Sequence, residues 1–209
     1  MRRACSASLV IGLSMLVGAC SGTLPSSSQP NSSPAAAPPV PMSNNADANV
    51  PPHLTAFPGL SVRRGDDIVP APEEDVQIAS GYASAPDKGS WIAQRRITLL
   101  TARLRVRVGE PVRVIHVSET TRAGDQLYVM GPKPIRGEYV DGALRTAPAP
   151  ASSDPLVPAG LYDGRVMPAP AADYNWDVTE YSFSSSGSHT IEWKLGALVS
   201  NQLMIDVTP

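Results

Sequence analysis

The 209-residue chain is poor in the side chains that most often carry chemistry. Its two cysteines, Cys5 and Cys20, both precede residue 21, so no thiol is available further along for catalysis, metal binding or a disulfide. Its three histidines, His53, His116 and His189, lie far apart and form no zinc-ligand spacing. There is no D-x-D-x-D-G calcium loop, no G-x-G-x-x-G or Walker phosphate loop, and no G-x-S-x-G elbow around Ser184, Ser185 or Ser186. Charge of one sign is also lacking: 17 basic and 19 acidic residues give a net charge of −2, which excludes a globally basic nucleic-acid binder. The longest apolar run, Leu9–Val17, is too short to span a bilayer. These absences lead to the expectation of a protein with no catalytic residues, no metal and no cofactor.

What is present begins with a targeting signal. Arg2 and Arg3 precede the apolar run, and the small residues Gly18 and Ala19 follow it, the three-part pattern of a secretory signal peptide. Leu16-Val17-Gly18-Ala19-Cys20 resembles the lipobox of bacterial lipoproteins. The resemblance implies cleavage after residue 19, with palmitate-type acyl chains on Cys20. Two or three chains, at about 0.8 kcal/mol per buried CH₂, suffice for stable anchoring. Ser21, where an Asp implies inner-membrane retention, favours the outer membrane if the cell has one. The expected location is the bacterial cell envelope, held to the membrane through the N-terminal lipid.

Residues 21–60 contain nine prolines and seven serines, with Asp47 the only charge and Phe57 the only aromatic. Such a stretch buries too little apolar surface to offset chain entropy, so 20–60 is expected to be a disordered tether. Residues 61–90 are transitional: Asp75–Ser80 reads as a short added strand, and Pro70, Pro72 and Pro86 argue against a helix. From residue 91 the pattern has period two. Val112 and Val114 oppose Arg113, Ile115 and Val117; Leu104, Val106 and Val108 alternate with Arg103, Arg105 and Arg107. Tyr174, Trp176 and Val178, then Ile191, Trp193 and Leu195, then Leu203, Ile205 and Val207 do likewise. Strands broken by Gly, Pro, Asn and Ser turns predict an all-β sandwich over 91–209.

The stretch Tyr181–Trp193, with its Gly187-Ser188-His189-Thr190-Ile191-Glu192-Trp193 end and the final hairpin Lys194–Asn201, resembles the close of bacterial immunoglobulin-like or fibronectin-III-like domains. Arg107–Val114, with Gly109-Glu110-Pro111-Val112, resembles their early turn. The resemblance implies a single immunoglobulin-like β-sandwich, with His189 in place of the corner tyrosine and no cysteine pair between the sheets. It reports a fold and not a function.

Candidate contact residues follow from pattern. Arg103, Arg105 and Arg107 share a strand face, which serves as a solvated edge or as a patch for an anionic partner. The proline-rich stretch 146–170, with Tyr162 inside it and Tyr174 and Trp176 beyond it, is the expected recognition surface. His189 is expected to bond nearby backbone at the edge of the core, and His116 to lie inside. Asp141-Gly142 and Asp163-Gly164 read as turns; Glu138, Asp173 and Asp177 read as loop or strand-start acids. The function these readings give is a non-catalytic, envelope-anchored lipoprotein whose sandwich binds an unknown envelope protein or glycan, or serves in assembly. The alternative is an inhibitor that inserts the 146–170 loop into a hydrolase.

Overall fold

The computed structural model describes residues 50–128, 131–151 and 166–209, all within one unit, Asn44–Pro209. Strands dominate. They are β1 (Ser61–Arg64), β2 (Asp67–Pro70), β3 (Arg95–Leu100), β4 (Arg105–Arg107), β5 (Pro111–Thr120), β6 (Gln126–Tyr128), β7 (Glu138–Val140), β8 (Ala143–Leu144), β9 (Val166–Pro168), β10 (Ala171–Asp173), β11 (Thr179–Ser182), β12 (Gly187–Leu195), β13 (Leu198–Val199) and β14 (Leu203–Thr208). One helix, α1 (Glu73–Ser80), lies between β2 and β3.

Two sheets form the expected sandwich. In the first, the ten-residue β5 pairs antiparallel with β3, β10 and β11. The second runs β4-β14-β12-β7-β8, with β13 also on β12 and β4 parallel to β14. Two short ribbons, β1–β2 and β6–β9, complete the pairing. The type of turn matches the sequence at Asp141-Gly142, which joins β7 to β8 with φ of 51° and 76°, the left-handed pair a two-residue hairpin requires.

Alternation places the core. Val112 and Val114 of β5 face Ile191, Trp193 and Leu195 of β12 and Leu203, Ile205 and Val207 of β14. Trp193 meets Trp176 edge-on at 5.1 Å and His116 at 5.0 Å, a geometry that suits the ring quadrupoles. Both indoles are satisfied, Trp193 donating to the Arg136 carbonyl and Trp176 to Ser118 Oγ. On β4 only Val106 turns inward. Leu104 and Val108, expected beside it, are exposed because β4 is a three-residue strand at the sheet edge.

The opposite face of β5 carries a second apolar layer. Ile115 and Val117 pack with Leu100, Ala172 and Tyr174 beneath Leu54, Leu60, Ala79 and Tyr82. This corrects two expectations. Residues 50–60, assigned to the tether, pack on the sheet: Leu54 and Leu60 are buried, and Phe57 meets the Tyr174 ring at 5.0 Å. Residues 75–80 are helix and not strand. Pro70 and Pro72 stand ahead of the first turn, where no amide hydrogen is needed, and Glu73, Glu74 and Asp75 favour the positive end of the helix dipole.

Candidate functional site

The aromatic residues expected at the recognition surface lie inside. Tyr174 belongs to the layer under α1, and Trp176 lies between the sheets. They are 3% and 6% exposed, so neither offers a partner a face. Alternation with Asn175 and Asp177 predicts a shared face for the two rings, yet they enter different layers. Tyr162, Asp163-Gly164 and Cys20 lie outside the described residues.

The arginine face is present at the sheet edge, but acids meet it. Arg103 binds Glu110 at 2.5 Å and approaches Glu74 at 3.7 Å. Arg105 Nε donates to Asp206 at 2.9 Å, across the parallel β4–β14 pair. The Arg107 backbone N–H donates to the other oxygen of Glu110. Local pairing reduces the positive field that an anionic partner would require.

Glu119, which the sequence pattern does not single out, and Glu138 and Asp173, expected as loop or strand-start acids, are all buried. Glu119, on the outer face of β5, accepts hydrogen bonds from Tyr82 at 2.5 Å, Arg96 at 2.7 Å and His53 at 2.8 Å. Burial raises its pKa, but these three donors outweigh that and hold the carboxyl below its usual range. Burial of Tyr82, helped by the charge of Glu119, pushes the phenol up. Glu138, at the start of β7, lies fully buried between the sheets. His116 Nε2 donates to its Oε1 at 2.8 Å, and the hydroxyls of Tyr181 (2.6 Å) and Thr179 (3.2 Å) complete the set. His116 is interior as expected, though its Nδ1 has no hydrogen-bond partner among the described residues. Asp173 pairs with Lys133, also inside.

His189 sits where its position in the sequence predicts. The ring stacks on Phe183 at 4.3 Å, Nε2 donates to the Ser185 carbonyl at 3.1 Å, and Nδ1 donates to Asp141 at 2.8 Å. The hydrogen bond to Asp141 raises the His189 pKa.

The exposed feature that pattern reading missed is the hairpin tip ahead of β3. Trp91 is 44% exposed and Ile92 38%. Arg96 lies over the Trp91 ring at 4.3 Å while its guanidinium is held by Glu119, so a buried carboxylate fixes the cation that fixes the indole. The tip closes with Ile92 and Arg95 exchanging two backbone hydrogen bonds around Ala93 and Gln94. Both central residues have positive φ, 49° and 62°, where a side chain costs about 1–2 kcal/mol per residue. Asn-Gly is the usual signature of such a turn; Ala-Gln conceals it. Strain of this kind concentrates where a surface has another task. Replacing Ala93→Asn together with Gln94→Gly is expected to raise stability by about 1 kcal/mol. A chemical-denaturation midpoint that falls instead would show that the native turn is unstrained.

Among the described residues, no helix is long and apolar enough to cross a membrane, and no group of three or more His, Cys, Asp or Glu is placed to hold a metal ion. Comparison with protein-family models, with curated proteins and with solved structures yields no match.

Proposed function

We propose that this chain is a lipid-anchored protein of the bacterial envelope whose β-sandwich binds or scaffolds a protein or glycan without catalysing a reaction. One observation carries the anchoring: a basic start, a short apolar run and Leu16-Val17-Gly18-Ala19-Cys20. The non-catalytic part is supported by where the ionisable groups lie. Glu119, Glu138 and Asp173 are enclosed with their own partners inside the packing. The contact surface in this reading is the Trp91–Ile92 tip, an apolar point held by Arg96.

Growth of the producing bacterium with an alkyne-tagged fatty acid tests the anchor. Label is expected on the wild-type chain and absent from Cys20→Ala, which leaves the membrane fraction. Equal labelling of both proteins would refute lipidation at Cys20. Capture from envelope extracts tests the tip. Trp91→Ala with Ile92→Ser is expected to lose a partner that the wild-type chain retains, with an unfolding midpoint little changed, because exposed substitutions typically shift stability by less than about 0.5 kcal/mol. A partner retained by that variant would move the interface elsewhere.

A further inference from the structure

Lys133 and Asp173 take no part in the surface described above. Lys133 lies in the connection from β6 to β7. Its N–H donates to the Asn175 carbonyl at 3.0 Å, and its carbonyl accepts from Asp177 N–H at 2.8 Å. Asp173 is the last residue of β10, paired with Ser118 of β5. The two side chains come from positions 40 apart and meet in the interior, 9% and 1% exposed.

The contacts of the pair are directional. Lys133 Nζ is in direct contact with Asp173 Oδ2, donates to the Tyr128 carbonyl at 2.7 Å, and lies 4.3 Å from the centre of the Trp176 ring. The other carboxyl oxygen, Oδ1, accepts the Asn175 N–H at 2.9 Å. An ammonium and a carboxylate removed from water each forfeit hydration. Passing one proton from Nζ to Oδ2 removes both charges and leaves an amine against a carboxylic acid. Burial works in that direction by lowering the Lys133 pKa, although Asp173 opposes it.

An amine and a carboxylic acid in contact, shielded from water, are the reactants of amide formation. In bulk water, hydration of the two ions opposes the reaction. Here the two groups are fixed by the fold, and well-oriented intramolecular pairs reach effective molarities on the order of 10⁵–10⁸ M.

We propose that Lys133 and Asp173 condense into an intramolecular amide crosslink. The Nζ lone pair attacks Cγ of the protonated Asp173 carboxyl, forming the Nζ–Cγ bond. Negative charge in the tetrahedral adduct gathers on Oδ1, where the Asn175 N–H already points. The Tyr128 carbonyl orients the amine by accepting one of its hydrogens. Oδ2 departs with its own proton and one from Nζ, as water. One amine and one acid give one amide and one water, with no oxidant, reductant or cofactor. The bond ties the β6–β7 connection to the end of β10, two points 40 positions apart in the chain. A crosslink of this kind acts as a disulfide does in limiting the unfolded chain, in a sequence with no cysteine beyond residue 20.

Peptide mapping of the purified full chain, unfolded and digested with trypsin, decides the matter. Lys133 precedes Pro134, so the digest keeps it within residues 123–136, and Asp173 within residues 166–194. The expected product is one species joining these two peptides, lighter than their sum by one water, with fragment ions that place the junction at Lys133 and Asp173. Lys133→Arg retains the positive charge without a condensing amine and is expected to release the two peptides unlinked. Wild-type chain that yields only separate peptides at full mass overturns the proposal, whatever the stability of the variant.

Discussion

Glu138→Ala is expected to lower the unfolding free energy by about 3–5 kcal/mol, the cost of leaving a buried polar set without its central partner. Three donors converge on that carboxylate: His116 Nε2, the Tyr181 hydroxyl and the Thr179 hydroxyl. His116 and Glu138 are both fully buried, so no water replaces what the substitution removes. Urea denaturation of wild type and variant reads the difference directly. A loss under about 1 kcal/mol would mean that the donors find other acceptors.

The same carboxylate gives the protein an acid limit. Burial would raise the Glu138 pKa, but His116 and the hydroxyls of Tyr181 and Thr179 reverse the direction and hold it below the usual range. Glu119 is lowered in the same way by Tyr82, His53 and Arg96. An unfolded Glu titrates near about 4.3, so on acidification the unfolded chain takes up these protons first. The stability contributed by both groups is complete above that value and is lost as the pH falls through it towards the lower folded values. The urea midpoint is therefore expected to drop as the pH falls below about 4.5. Glu138→Gln, which keeps the shape without the charge, is expected to flatten part of that drop. A midpoint unchanged down to about pH 3 would show that the two carboxylates keep ordinary proton affinities when folded.

The strands were readable because each long one faces two different environments. In β5 the two faces differ by residue, Val112 and Val114 on one side and Ile115 and Val117 on the other, and both are buried under different layers. The same alternation marks β12 and β14, and the Asp-Gly dipeptide marks the turn at Asp141-Gly142. Helix α1 was hidden because eight residues give little over two turns of pattern and the prolines around it suggested a break. The candidate site was less legible. Trp91 precedes a turn of Ala93 and Gln94, which lacks the residues that announce a hairpin. Glu119, Glu138, Lys133 and Asp173 look like surface charges in a linear sequence. Their burial depends on partners 23 to 66 positions away for Glu119, 22 to 43 for Glu138, and 40 for the Lys133–Asp173 pair, and no local rule anticipates such pairings.

The boundary between tether and domain carries the other large effect. Composition placed it at residue 60, because Pro51, Pro52 and Pro58 surround only a few apolar side chains. Those few are the ones the sheet requires. Pro52–Leu54 forms a single turn that directs Leu54 into the layer above Ile115 and Val117, and Leu60 follows just before β1. His53, from the same turn, reaches Glu119 at 2.8 Å. A tether predicts that substitutions here leave stability unchanged. Packing predicts that Leu54→Ala and Leu60→Ala each cost about 2–3 kcal/mol, towards the lower end for buried leucines because the layer is thin. Their sum, about 5 kcal/mol, is a large part of the whole stability of an ordinary domain. Ala56→Ser, exposed on the same segment, is the control and is expected to change stability by less than about 0.5 kcal/mol. If the double leucine variant unfolded at the same urea concentration as this control, the segment would be a tether after all. If it unfolds far earlier, residues 50–60 are part of the domain, and any soluble version of it has to begin before Pro51.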